Sequence, residues 1–305
     1  MSDLPPPPPP SPLPLWMRAL LALERAARTF AAGITIARDE LLLACVRPER
    51  RAAIAKSLLS RQLTYVPGGT LYELGLFDWE RELLARAEVP RGGRVLVGGA
   101  GGGRELRRLR EMGYEVVGFE PVAALARRAA ESLAGDPGAR VLRGSYADLV
   151  RAAAGEGGPL AELRELPPAD LVLIGWGSIA HVREEADRLA LLRAARVLAP
   201  RAPVALGFDD YGPPDPPGSR RAAWRARLRR LLAALGAPSR ARDDERFLHW
   251  AGFLRGMTPE ELARLAREAG YDLAWVASDP GRALLLPAPG ATGAPRAESP
   301  IPGRA

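Results

Sequence analysis

The stretch Arg94–Leu106, RVLVGGAGGGREL, sets five glycines and one alanine between a short apolar run and the start of a helix-like segment. Bare main chain at the end of a strand, followed by a helix N-terminus, can hold a phosphate or a nucleotide. Gly99, Gly101 and Gly103, with Ala100 among them, would present that backbone. Glu120 ends the next apolar run, VVGFE, 21 residues after Gly99. A carboxylate at the carboxyl end of a neighbouring strand can accept the protons of both ribose hydroxyls; the plainer reading is a surface acid. His181, of a residue type that titrates near neutrality, could take a proton from a substrate, or it could pack or cap the start of the next helix. Asp209 and Asp210 follow a fifth apolar run. They could bind a cationic acceptor, take a proton, or begin a loop.

The spacing narrows the ligand. A phosphate-gripping P-loop needs Gly-Lys-Ser/Thr at its end, and Gly103 is followed by Arg104-Glu105. A dinucleotide loop needs a third glycine at position 104, where Arg104 is too large for close helix–strand packing. That argues against a nicotinamide or flavin oxidoreductase. Gly-x-Gly-x-Gly is met at residues 99, 101 and 103. On this motif the chain resembles the class I S-adenosyl-L-methionine (SAM)-dependent methyltransferases. The resemblance extends to Glu120, with Pro121 beside it, and to LRGSYADL, which looks like the adenine segment and holds Ser145, Tyr146 and Asp148. It also covers ADLVLIGWGSIAHV, with Gly175, Trp176 and His181, the helix LLRAARVLAP, and a terminal hairpin. Val97 stands where the family usually has an acid, and Ser145 where the adenine segment often has one.

The resemblance implies SAM as cofactor, contacted by Gly99, Ala100, Gly101, Gly103, Glu120, Pro121, Ser145, Tyr146, Asp148, Gly175 and Trp176, and methyl transfer to a small-molecule acceptor. His181 and Asp209 are the candidate catalytic residues. O- and N-methylation are not separated by the sequence. A SAM-binding or regulatory protein that keeps the fold without turnover is the alternative.

These residues need a frame. From residue 89 short apolar runs alternate with helical patterns, at 94–98, 114–120, 139–144, 169–176 and 202–208. That alternation predicts a parallel sheet covered on both faces. Near the end, Thr258, Pro259 and Glu261 mark a capped helix that Gly270 closes. YDLAWVAS and RALLLP, joined by a short turn, predict an antiparallel hairpin. The expected fold class is α/β: a three-layer αβα Rossmann-like sandwich on a mostly parallel seven-stranded sheet, with a C-terminal antiparallel hairpin and an N-terminal helical cap. Residues 15–88 form the cap. Two helices lie between residues 15 and about 61, and an aromatic-rich loop follows, with Asp78 capping a helix from Trp79. That loop is a packed connection or a lid. Residues 89–288 form the SAM-binding domain, with an insertion at 209–250 that carries a basic helix at 219–235, read as a lid or dimer helix. The Pro-rich 1–14 and the tail 289–305 are expected to be disordered.

Composition bounds the rest. The net charge is +7, but of 43 basic residues only Lys56 is lysine, and the arginines are spread through every helical segment. A nucleic-acid groove wants a concentrated basic face with stacking aromatics, so no nucleic-acid partner is expected. Cys45 is the single cysteine, read as a small buried hydrophobe. Two distant histidines without a thiol cluster give no metal-ligand spacing. No apolar run is long enough for a membrane span, and no signal-peptide pattern opens the chain, so a cytoplasmic protein is expected, with a homodimer open.

Overall fold

A computed structural model describes residues 13–208, 218–278 and 281–289. The chain opens with helices α1 (Leu15–Cys45), α2 (Pro48–Leu59), α3 (Thr70–Leu74) and α4 (Asp78–Arg86). Pro48 restarts the helix, as its missing N–H allows at a first turn. The sandwich then runs β1 (Arg94–Gly98), α5 (Arg104–Glu111), β2 (Glu115–Glu120), α6 (Ala123–Ser132), β3 (Ala139–Arg143), α7 (Tyr146–Ala154), β4 (Leu171–Ile174), α8 (Glu185–Leu198) and β5 (Val204–Gly207). After β5 come α9 (Arg220–Ala234), β6 (Glu245–Leu248), β7 (Gly252–Arg255), α10 (Pro259–Glu268), β8 (Tyr271–Ser278) and β9 (Gly281–Pro287).

The seven-stranded sheet has the order β3-β2-β1-β4-β5-β9-β8. Its first five strands pair in parallel, and β9 is antiparallel to both β5 and β8. The order reverses between β1 and β4, which is where an open α/β sheet forms its ligand crevice. The strands are short apolar runs because both faces are covered. On one face Leu149 of α7, Leu191 and Leu192 of α8, and Leu262 and Leu265 of α10 pack on Val172, Ile174 and Leu206. On the other, Leu83 and Leu84 of α4 and Leu106 and Leu109 of α5 pack on Val95, Val97 and Leu173. Each such side chain taken from water contributes about 1.5–3 kcal/mol.

Several local expectations are corrected. Helix α4 begins at Asp78 rather than being capped by it; the Phe77 N–H ahead of it is held by Glu80 Oε2 at 2.7 Å. Thr258 Oγ1 does accept the Glu261 N–H, at 3.1 Å, but the Glu261 carboxylate serves Arg188 (2.9 Å) instead of reaching back to the cap. Cys45 is exposed at the end of α1, turned away from buried Leu43 and Ala44. The segment after the basic helix holds a β6–β7 hairpin that its sequence did not announce. Among the described residues no helix is long and apolar enough to cross a membrane.

Candidate functional site

The carboxyl ends of β1, β2 and β4 open into one cavity of about 580 Å³, within the 300–1,000 Å³ usual for small-molecule and cofactor sites. Gly99, Ala100, Gly101, Glu120, Pro121, Ser145, Tyr146, Trp176 and His181 line it together. Gly103, Asp148 and Gly175 do not. Gly103 lies against Ala129 of α6. Asp148 accepts the Ser145 N–H (2.8 Å) and hydroxyl (2.7 Å), which makes it a cap of α7. Asp209 and Asp210 lie outside the described residues.

Gly101 is the open part of the ledge. Its φ is +55°, and a methyl built on its Cα would meet nothing within 4 Å. A side chain there is disfavoured by backbone geometry, and the space it would fill belongs to the cavity. Gly102 is bare for another reason: a methyl there would collide with the Tyr65 carbonyl, where the cap loop crosses the glycine turn.

Glu120 is buried at the tip of β2, and its two oxygens accept the N–H groups of Gly101 (2.9 Å) and Val122 (2.8 Å). Burial pushes its carboxyl up to about 7, and the two N–H bonds hold it from rising further. Each oxygen keeps a second lone pair for a ligand hydroxyl.

Arg104 turns away from the sheet, toward α4. It donates to both oxygens of Glu80 (2.8 and 2.5 Å), to Glu105 (2.5 Å) and to the Gly75 carbonyl (2.6 Å). The group carries two carboxylates against one guanidinium, all buried. Burial, and then the Glu105 charge, push the Glu80 carboxyl up to about 7. Glu105 also lines the cavity. A methyl built on Gly175 would stand 3.1 Å from the carbonyl oxygens of Gly98 and Gly99 and 3.6 Å from Glu105 Oε1. Gly175 is therefore bare because these acceptors crowd its Cα. The sequence did not announce the Arg104–Glu105–Glu80 cluster, because Glu80 lies on α4, 24 residues from Arg104.

The wall beyond β4 is aromatic. Trp176 stacks on Trp250 (centroids 6.2 Å, planes 18° apart) and meets Phe77 edge-on at 5.3 Å and Tyr65 at 6.4 Å. Trp250 comes from the turn between β6 and β7 and was given no role by the sequence. His181 closes a 3₁₀ turn, Ser178–His181, after β4. Burial drives its imidazole down to about 4, so it is neutral at physiological pH. Tyr146 lies 2.5 Å from Ser178 Oγ, which donates to the Gly175 carbonyl at 2.8 Å. The roof comes from Ala55, Lys56 and Leu59 of α2, Tyr65 of the cap loop, and Phe253 of β7. Among the described residues no group of three or more His, Cys, Asp or Glu could hold a metal ion.

No family model matches the chain, and no curated protein sequence matches it significantly. Solved structures do resemble it. The CcbJ methyltransferase from Streptomyces caelestis is 16% identical over 69% of this chain and 94% of its own, with a TM-score of 0.47. A TehB-like SAM-dependent methyltransferase from Corynebacterium glutamicum is 16% identical over 79% and 100%, with a TM-score of 0.44. SAM-bound CalS10, an amino pentose methyltransferase from Micromonospora echinaspora, is 16% identical over 69% and 92%, with a TM-score of 0.42. The strand order and the antiparallel C-terminal hairpin make the fold a Rossmann-like αβα sandwich. At these identities and TM-scores the likeness carries no argument about activity.

Proposed function

We propose that the chain transfers a methyl group from SAM to a small-molecule acceptor. One observation carries this reading. The open main chain at Gly101, the buried carboxylate at the adjacent strand tip and the aromatic wall after β4 all face one cavity. These residues suit the cofactor: a Cβ at 101 would fill its cradle, and Glu120 is a buried acceptor placed to receive two hydroxyl protons.

In this reading Gly101 passes under the nucleoside and Glu120 takes the ribose hydroxyls. Ser145 and Tyr146 flank the adenine, and Glu105, which lines the cavity beside Gly99, receives the ammonium of the methionine portion. Glu105 thereby supplies the charge that Val97, buried in the core, does not. SAM, when bound, supplies an electrophilic methyl on a sulfonium. The protein's own part is alignment and exclusion of water. Trp176 and Trp250 wall the acceptor side and favour an apolar or aromatic compound. His181, neutral at physiological pH, accepts a hydrogen bond from the acceptor's hydroxyl or amine. Its low basicity suits it to holding that proton in line better than to keeping it. Helix α2 and Tyr65 of the cap, with Trp250 and Ala251 of the β6–β7 hairpin, enclose the acceptor.

Calorimetry with SAM and with its demethylated product, S-adenosylhomocysteine, tests the reading. Saturable binding of both is expected, and binding of neither would end it.

A further inference from the structure

Helix α1 is 31 residues long. Its buried residues begin only at Ile36; from Leu15 to Ala31 every residue is exposed apart from half-buried Met17. The exposed part is apolar. Trp16 is 65% exposed, Leu20 57%, Leu23 67%, Phe30 73% and Ile34 56%. A contiguous patch of this kind marks an interaction surface, and a helix held by its own hydrogen bonds alone is marginal in water.

The spacing says what covers it. Trp16, Leu20, Leu23, Ala27, Phe30, Ile34, Ala37 and Leu41 follow one another at steps of 4, 3, 4, 3, 4, 3 and 4. That is an unbroken 3.5-residue repeat, the a/d seam of a coiled coil, in which the best partner for a helix is another with the same seam. The charged residues of this part, Arg18, Glu24, Arg25 and Arg28, all fall outside a and d. A strict seven-residue repeat is not needed to pack a helix on its own domain, where a broader stripe at 3.6 suffices.

We propose that α1 pairs with α1 of a second copy of this chain along that seam, making a two-fold dimer. The area is adequate. Trp16 and Phe30, at roughly 150–250 Å² of surface each when fully exposed, offer about 200–350 Å² per copy. With Leu20, Leu23 and Ile34 the pair reaches on the order of 1,000 Å², what a specific interface requires. The inference is independent of what the cavity binds.

The full-length chain is tested by sedimentation velocity and light scattering. At about 10 μM the wild type is expected at twice the chain mass. Leu23→Glu/Phe30→Glu, which puts like charges across the seam, should run as a monomer with unchanged near-ultraviolet circular dichroism. Arg25→Glu, off the seam, should stay dimeric. If the double variant fails to fold, Leu23→Ala should still raise the dimer dissociation constant by roughly tenfold. A monomeric wild type overturns the proposal, as does a dimer unaffected by the seam variants. A monomer that floats with anionic phosphatidylglycerol vesicles overturns it too, giving the seam to a lipid surface.

Discussion

Glu120→Gln is the sharpest probe of the proposed cofactor site. In the free protein the carboxylate is buried, held by the Gly101 and Val122 N–H groups, and pushed up to about 7 from an ordinary 4.5. A carboxyl raised on folding binds more protons in the folded state. The free protein therefore loses stability as pH climbs from about 4.5 through 7, by about 3 kcal/mol for a shift of this size. Ribose hydroxyls donating to the ionised form reverse the bias, so nucleoside binding should expel a proton. Affinity for S-adenosylhomocysteine should then rise by up to about tenfold between pH 6 and pH 8. Charge-assisted hydrogen bonds contribute about 1.5–3 kcal/mol each. Gln keeps one acceptor oxygen but no charge, so the net loss is about 2–4 kcal/mol and Kd rises roughly 30- to 700-fold. Isothermal titration at several pH values, in buffers of different ionisation enthalpy, reads both the affinity and the proton. Glu80 titrates in the same window, so the difference between wild type and variant carries the test. An unchanged Kd in Glu120→Gln, or the same pH dependence in both proteins, refutes the reasoning.

The remaining predictions concern the same cavity. Gly101→Val should abolish S-adenosylhomocysteine binding while lowering Tm only by the strain of a side chain at positive φ, about 1–2 kcal/mol; retained affinity would mean the ledge is not where the nucleoside lies. Glu105→Gln should weaken S-adenosylhomocysteine at least about tenfold and leave 5′-methylthioadenosine, which lacks the ammonium, unaffected; equal losses for both would make Glu105 structural. His181→Ala should lower kcat on an identified acceptor with cofactor affinity unchanged. Because its imidazole sits near 4, it should contribute no inflection to the rate between about pH 5 and 8. A wild-type inflection near 6.5 that vanishes in His181→Ala would contradict its burial.

What was legible in the sequence was periodic or motif-bound. The five parallel strands read out because each is an apolar run bounded by turn residues. The glycine spacing picked out the strand end that opens on the cavity. What was not legible has a common cause. Asp148 looked like a ligand because its segment resembled one, yet it lies three residues after Ser145, the spacing at which an acid caps its own helix. Strands β6 and β7 have four residues each and no Asn-Gly or Asp-Gly turn to announce them, so Trp250 had no element to sit on. Gly102 is bare for the sake of Tyr65, a contact made by the crossing of two distant loops.

The arginines show the limit most clearly. Spread over every helix but α3, they carry no pattern, and composition alone explains most of them. Yet five are buried among the described residues, and three of these each make four hydrogen bonds. Arg51 binds the Leu43 (2.5 Å) and Val46 (3.2 Å) carbonyls, Ser239 (2.6 Å) and Glu245 (3.0 Å), tying α1 and α2 to the insertion. Arg188 gathers the carbonyls of Val182 (2.7 Å), Arg255 (2.7 Å) and Gly256 (3.0 Å), tying α8 to β7. Arg104 ties the glycine turn to α4. A buried guanidinium is tolerated only when its donors are satisfied, because removing a partner leaves a charge in a poor solvent, at a cost of about 3–5 kcal/mol. A swing of the cap away from the ledge would strip Glu80 and the Gly75 carbonyl from Arg104, and a swing of the cap away from the insertion would strip Ser239 and Glu245 from Arg51. The loop at 64–77 is packed on the glycine turn at the Tyr65 carbonyl, and Arg51 ties the β6–β7 hairpin to α1 and α2. On the proposed reading, acceptor choice rests on the shape that Trp176, Trp250 and Tyr65 give the cavity wall.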